Sequence, residues 1–233
     1  MAILKKEEFD NVYIGGGSLI DGSHILTAAH TIKDYKPQDL RIRLGEWDVN
    51  NDSEFYTHIE FDASNIFIHE DFYPGNLYND IAMVRLNGYV DFTRNPHVSP
   101  VCLPDHLEDF AGQRCHVSGW GKDAFTGGSY QHVLKEVQLP VLNNRQCENM
   151  LKRTRLGPGF VLHEGFLCAG GEEGKDACKG DGGGPLVCEI NGISQLAGIV
   201  SWGVGCGQRD VPGIYVKVSN YEKWIQDQLL RNN

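Results

Sequence analysis

Short apolar runs, each cut off after a few residues by Gly, Asn, Asp or Pro, follow one another along most of the 233-residue chain. GGSLI, HILTAAH, LRIRLG, IAMVRL, RCHVSGWG, KEVQLPVL, PLVCEI, LAGIVSWG and GIYVKV are the clearest. Runs this short build poor helices, but as strands each can bury a face, so the pattern predicts an all-β sandwich or barrel. The period changes in two places. Asn144 to Lys152 predicts a short helix, and the end of the chain a longer one, capped by Ser219 or Asn220, with Tyr221, Trp224, Ile225 and Leu229 on one face. The length suits one large all-β domain or two small ones. No polar linker, low-complexity tract or fixed-period repeat interrupts it, so two barrels sharing an interface, over residues 1–233, are expected rather than two tethered domains.

With 21 Lys and Arg against 31 Asp and Glu, the formal charge is −10. That balance argues against a nucleic-acid or anionic-membrane partner, either of which needs a basic stripe, and it accounts for solubility. No apolar run reaches the roughly 18 residues of a membrane span. At the N-terminus, Ala2, Ile3 and Leu4 run straight into Lys5, Lys6, Glu7 and Glu8, too short an apolar stretch for a signal peptide. They read as a strand severed from something upstream. The seven cysteines are too widely spaced for paired zinc ligands and point to an oxidised, extracellular framework with one sulfur left over.

Three segments carry chemistry. LTAAH sets His30 at the end of an apolar strand, NDIAMVRL sets Asp80 before another, and GDGGGP forms a tight turn whose amides can converge. A carboxylate that orients a histidine, and amides aimed at one point, are two of the three parts of nucleophilic acyl transfer. The third part, a hydroxyl or thiol, is missing.

LTAAH, NDIA, SGWG, GDGGGPLVC and SWGVGCG, in that order, resemble the trypsin-like, chymotrypsin-fold serine proteases over nearly the whole chain. The resemblance implies two six-stranded antiparallel Greek-key β-barrels and a C-terminal helix. It makes His30 the general base, Asp80 its orienting carboxylate and Gly182 the occupant of the nucleophile's place, with the amides of Gly180 and Gly182 as the oxyanion hole. Losing the serine of such a triad costs on the order of 10⁶ in kcat. A pseudo-protease is therefore expected, its triad remnant vestigial or structural. Ser18, Ser118 and Ser201 read as ordinary strand serines rather than substitute nucleophiles.

Further roles follow from the same resemblance. Asp176 matches the acidic floor of a Lys/Arg-specific pocket, with Ser201, Gly203 and Gly213 as its walls, and Asp181 matches the partner of the amine freed on activation. Cys115 pairs with Cys188, Cys147 with Cys168, and Cys178 with Cys206, leaving Cys102 for an upstream light-chain or clip segment. Gly15 and Thr31 stand where the family commonly bridges two cysteines beside the histidine. GEWDVNNDSEF resembles a calcium loop, with Glu46, Asp48, Asn51, Asp52 and Glu54 as oxygen donors. A solvated acidic turn is the competing reading, and Asn51-Asp52-Ser53 is also a glycosylation sequon. No cofactor is required on this reading.

Within the family, a glycine at the nucleophile's place beside a retained His and Asp is similar to the clip-domain serine protease homologues of arthropods. That similarity implies a secreted haemolymph protein that binds cascade proteases or prophenoloxidase in the immune cascade leading to melanisation. Two other readings stand: an active endopeptidase whose serine was replaced by engineering, and a decoy that occupies Lys/Arg sites through Asp176.

Overall fold

The computed structural model describes residues 1–8, 10–51 and 54–231. The first half is built from β1 (Ala2–Lys6), β2 (Asn11–Gly16), β3 (Ser18–Leu19), β4 (His24–Thr27), β5 (Leu40–Leu44), β6 (Ile59–Ile68) and β7 (Ala82–Leu86). The second half contains β8 (Arg114–Gly119), β9 (Lys135–Leu142), β10 (Phe166–Gly170), β11 (Pro185–Ile190), β12 (Ile193–Trp202) and β13 (Pro212–Lys217). Alternation explains the strands locally. In β5, Leu40, Ile42 and Leu44 are buried, while Arg41 and Arg43 turn outward to Glu60 and Asp62 on the neighbouring strand.

The second half closes as a six-stranded antiparallel barrel in the order β10-β13-β12-β11-β8-β9. The first is a seven-stranded sheet, β2-β1-β5-β6-β7-β4-β3, rather than the six strands expected. The extra strand arises because Gly17 breaks one run of chain into β2 and β3. Its two pieces lie at opposite ends of the sheet, so the sheet wraps until its ends meet on one segment. Counting that segment once, both halves share one connectivity: first strand on second, second on third, third on sixth, sixth on fifth, fifth on fourth, and fourth on first. The repeat absent from the amino acids is present in the topology.

Each half has its own core, around Ile3, Ile25, Ile42 and Val84 in the first and Leu139, Leu186, Ala197 and Tyr215 in the second. A third cluster joins them: Leu26, Ile81 and Met83 meet Leu196, Ile199 and Val216, and Trp224 and Ile225 close over it. Those last two lie on α3 (Glu222–Leu230). The helix starts later than expected: Val218–Tyr221 is a 3₁₀ turn, Tyr221 is the N-cap, and neither Ser219 nor Asn220 caps it. Ser219 is instead buried. The other expected helix is α2 (Asn144–Leu151), capped by the Asn143 side chain, which accepts from the Gln146 amide. A one-turn helix after β4, α1 (Ala29–Ile32), was not legible as a separate element.

Candidate functional site in the cleft between the barrels

β4 and β7 pair antiparallel with Thr27 opposite Ala82, so the residues just after Thr27 and just before Ala82 emerge at the same end. That register brings His30 to Asp80 across 50 positions of sequence. Ala29 and Ile32 anchor the short α1 in the core and leave His30 on the cleft side. The Asp80 carboxylate is fully buried; it accepts the His30 backbone amide at 2.8 Å and faces His30 Nδ1 at 2.7 Å. Ser201 Oγ donates to the same carboxylate at 2.6 Å. Three donors compensate the burial of this charge and leave imidazole Nε2 as the ring atom directed at the cleft.

Opposite Nε2 lies Gly182. A Cβ built there would sit 2.9 Å from His30 Nε2, closer than such contacts normally run. The turn is pinned on both sides: Gly16 N donates to Gly182 O, and Gly183 N to Val200 O, each at 2.9 Å. Gly183 must be glycine, since its φ is +79° and a Cβ would meet Gly16 O at 2.6 Å. Among the described residues, neither the Gly180 nor the Gly182 amide has a protein acceptor. Both glycines line one cavity of about 190 Å³ with His30, Asp176, Gly213 and Tyr215.

At the floor of that cavity, Asp176 Oδ2 accepts from the Gly207 amide at 3.0 Å, while Oδ1 is buried without a partner. Burial is the main reason its pKa is raised to about 6. The buried Tyr215 hydroxyl is also unpartnered, and a Cβ on Gly213 would lie 3.0 Å from Asp176 Oδ1 and 3.4 Å from that hydroxyl. Glycine at 213 therefore keeps the floor accessible. Gly203 and Ser201 line the same cavity, Ser201 with its proton already committed to Asp80. Asp181 points away, accepting from the Gly121 and Cys178 amides at 2.8 Å each, and burial raises its pKa. It borders a second cavity of about 440 Å³, lined also by Gly119 and Lys122.

A family model for trypsin matches residues 3–225. The chain belongs to the trypsin family. Among curated trypsin-family relatives, it is 48% identical over 224 residues to phenoloxidase-activating factor 2 of Galleria mellonella, covering 94% of this chain and 73% of that protein. It is 46% identical over 218 residues to inactive CLIP domain-containing serine protease A3 of Aedes aegypti, covering 92% of this chain and 46% of the other. It is 41% identical over 231 residues to inactive CLIP domain-containing serine protease A28 of Anopheles gambiae, covering 99% and 60%. The chain thus spans between about half and three quarters of these relatives' lengths, and two of the three are named as inactive serine proteases.

Three disulfides link Cys115 to Cys188, Cys147 to Cys168, and Cys178 to Cys206, the pairs that the family resemblance implies. Cys102 is free and exposed. Gly15 and Thr31 are adjacent: a Cβ on Gly15 would lie 2.5 Å from the Thr31 methyl, which fills the space where the family commonly has a bridge. In the 46–54 loop, the carboxylates at 46, 48 and 54 each accept hydrogen bonds from within the protein. Glu46 is buried, with Oε2 3.0 Å from Arg43 and 3.1 Å from His58 and Oε1 accepting the Trp47 amide. Glu54 accepts the Asp48 amide, and the Asp48 carboxylate accepts that of Asn50. Among the described residues no three His, Cys, Asp or Glu side chains are grouped to hold a metal ion, and Glu46 faces two basic side chains, Arg43 and His58. Asp52 and Ser53 of this loop and sequon lie outside the described residues.

Three features of the site were not legible in the sequence. Tyr215 sits in β13, which is buried along nearly its whole length, so nothing local marks it, and the bond from Ser201 to Asp80 joins residues 121 positions apart. A third, Lys179, places its ammonium 4.3 Å from the centre of the Phe125 ring at the cavity rim.

Proposed function

We propose that this chain is the protease-like part of a secreted CLIP-type homologue that acts by binding, in an extracellular cascade that activates prophenoloxidase. Gly182 is what removes turnover: the base and its orienting carboxylate are in place, and residue 182 carries no side-chain oxygen to be activated. The observation that carries the binding reading is the buried, half-unpartnered Asp176 carboxylate, open to the cleft through Gly213. A guanidinium or ammonium inserted there supplies the missing donors. The relatives' names supply the cascade, the three disulfides support an oxidising, extracellular setting, and exposed Cys102 is available to bridge to a segment outside this chain.

Purified protein should bind benzamidine and leave Arg-containing peptides intact, and the Asp176→Asn variant should lose the benzamidine. Equal affinity in the two proteins overturns the pocket assignment; peptide hydrolysis that survives removal of contaminating proteases overturns the loss of turnover. Added to cell-free haemolymph, the protein should change the rate of prophenoloxidase activation. Mass spectrometry of the native protein should find Cys102 in a disulfide.

The other reading is an active protease silenced by replacement of a serine at position 182. Sequencing the native transcript settles it, since a serine codon at 182 favours engineering. The 46–54 loop is proposed to need no calcium, and its thermal unfolding should be the same in chelator and in millimolar calcium.

A further inference from the structure

The cleft holds more unpaired donors than a basic side chain uses. Beyond Asp176, the 190 Å³ cavity is lined by His30 and by Gly180 and Gly182, whose amides lack protein acceptors. Asp80 occupies His30 Nδ1, so Nε2 is the ring atom left for a ligand. Lys179 adds a cation to the rim, and Asp176 is the one carboxylate among the residues lining this cavity. The arrangement is bipolar: one acid at the floor, and two amides, an imidazole and an ammonium at the mouth.

We propose that the cleft is a receptor for a free C-terminal arginine or lysine, the end left by hydrolysis after a basic residue. This rests on the Asp176 pocket being a site for a basic side chain and adds what the mouth recognises. One carboxylate oxygen accepts from the Gly180 and Gly182 amides. The other occupies the space in front of Nε2 that a nucleophile's hydroxyl would fill, and draws a proton onto that nitrogen. Asp80, imidazolium and carboxylate then alternate in charge along one line, each pair joined by a charge-assisted hydrogen bond. An uncleaved chain passing through the cleft presents one carbonyl oxygen and a neutral amide, and leaves this second position without an anion. Absence of the serine thus changes what the mouth selects, from a bond to be cut to an end already made.

Two N-acetylated peptides identical in sequence and ending in arginine, one with a free carboxylate and one amidated, separate the ideas by calorimetry on the unaltered protein. The free acid should bind at least about tenfold more tightly, the scale of one charge-assisted hydrogen bond. In His30→Ala the ratio of the two peptide affinities should shrink toward one, and an unchanged ratio there overturns the proposal. Equal or tighter binding of the amide overturns the proposal, as does failure of both peptides where benzamidine binds; in both cases the pocket reading survives. Failure of benzamidine as well overturns both.

Discussion

Asp176 carries an uncompensated charge that folding has to bury, and its consequences depend on pH in a defined direction. Its pKa rises from 3.8 to about 6 on folding, so the folded protein holds this proton more tightly than the unfolded chain. The destabilisation is absent below pH 3.8, grows between there and about 6, and is fully present above. Asp176→Asn should therefore raise the Tm at pH 7 and leave it nearly unchanged at pH 4, as scanning calorimetry would show. Benzamidine needs the ionised carboxylate, so its affinity should fall as pH drops through about 6, approaching about tenfold per unit below it. Gly183 offers a second test at this scale. Gly183→Ala puts a Cβ against Gly16 O and Thr27 at a positive φ, and should cost at least about 2 kcal/mol in denaturant unfolding.

The elements show where local pattern is enough. α2 was readable because Asn143 satisfies a first-turn amide and Cys147 and Leu151 face inward; Asn143→Ala should lower stability by about 1 kcal/mol without altering binding to the cleft, measured by urea unfolding. α3 was misplaced at its start because Ser219, a good cap by residue type, is drawn into the core by packing. β7 is buried on both faces, Val84 toward the first core and Met83 toward the barrel interface, so its first three residues read as an unbroken apolar run rather than an alternation. β6 and β10 escaped detection for opposite reasons. IEFDASNIFI is half-exposed and broken by a bulge between Ala63 and Asn65, whereas FLCAG is wholly buried but short and ends in small residues.

Across the whole molecule, the barrels behave as one unit because the third apolar cluster belongs to both and the cleft lies along their junction. Cys115–Cys188 closes a span of 73 residues within the second barrel's core. Replacing both cysteines by alanine should cost about 4 kcal/mol in loop entropy and lower the Tm, yet keep one cooperative calorimetric transition. Two separated transitions would show that the shared interface does not couple the halves. What the sequence by itself determined is the strand-rich architecture, the imidazole and carboxylates available for the cleft, and the absence of an oxygen at position 182, because these depend on residue type and near-neighbour order. Only the tertiary structure decided that Ser201 takes part of Asp80, that Asp176 Oδ1 and the Tyr215 hydroxyl are left unpaired, and that His30 closes on Gly182. These are distances of a few ångströms between segments far apart in the chain, set by strand register and barrel contact.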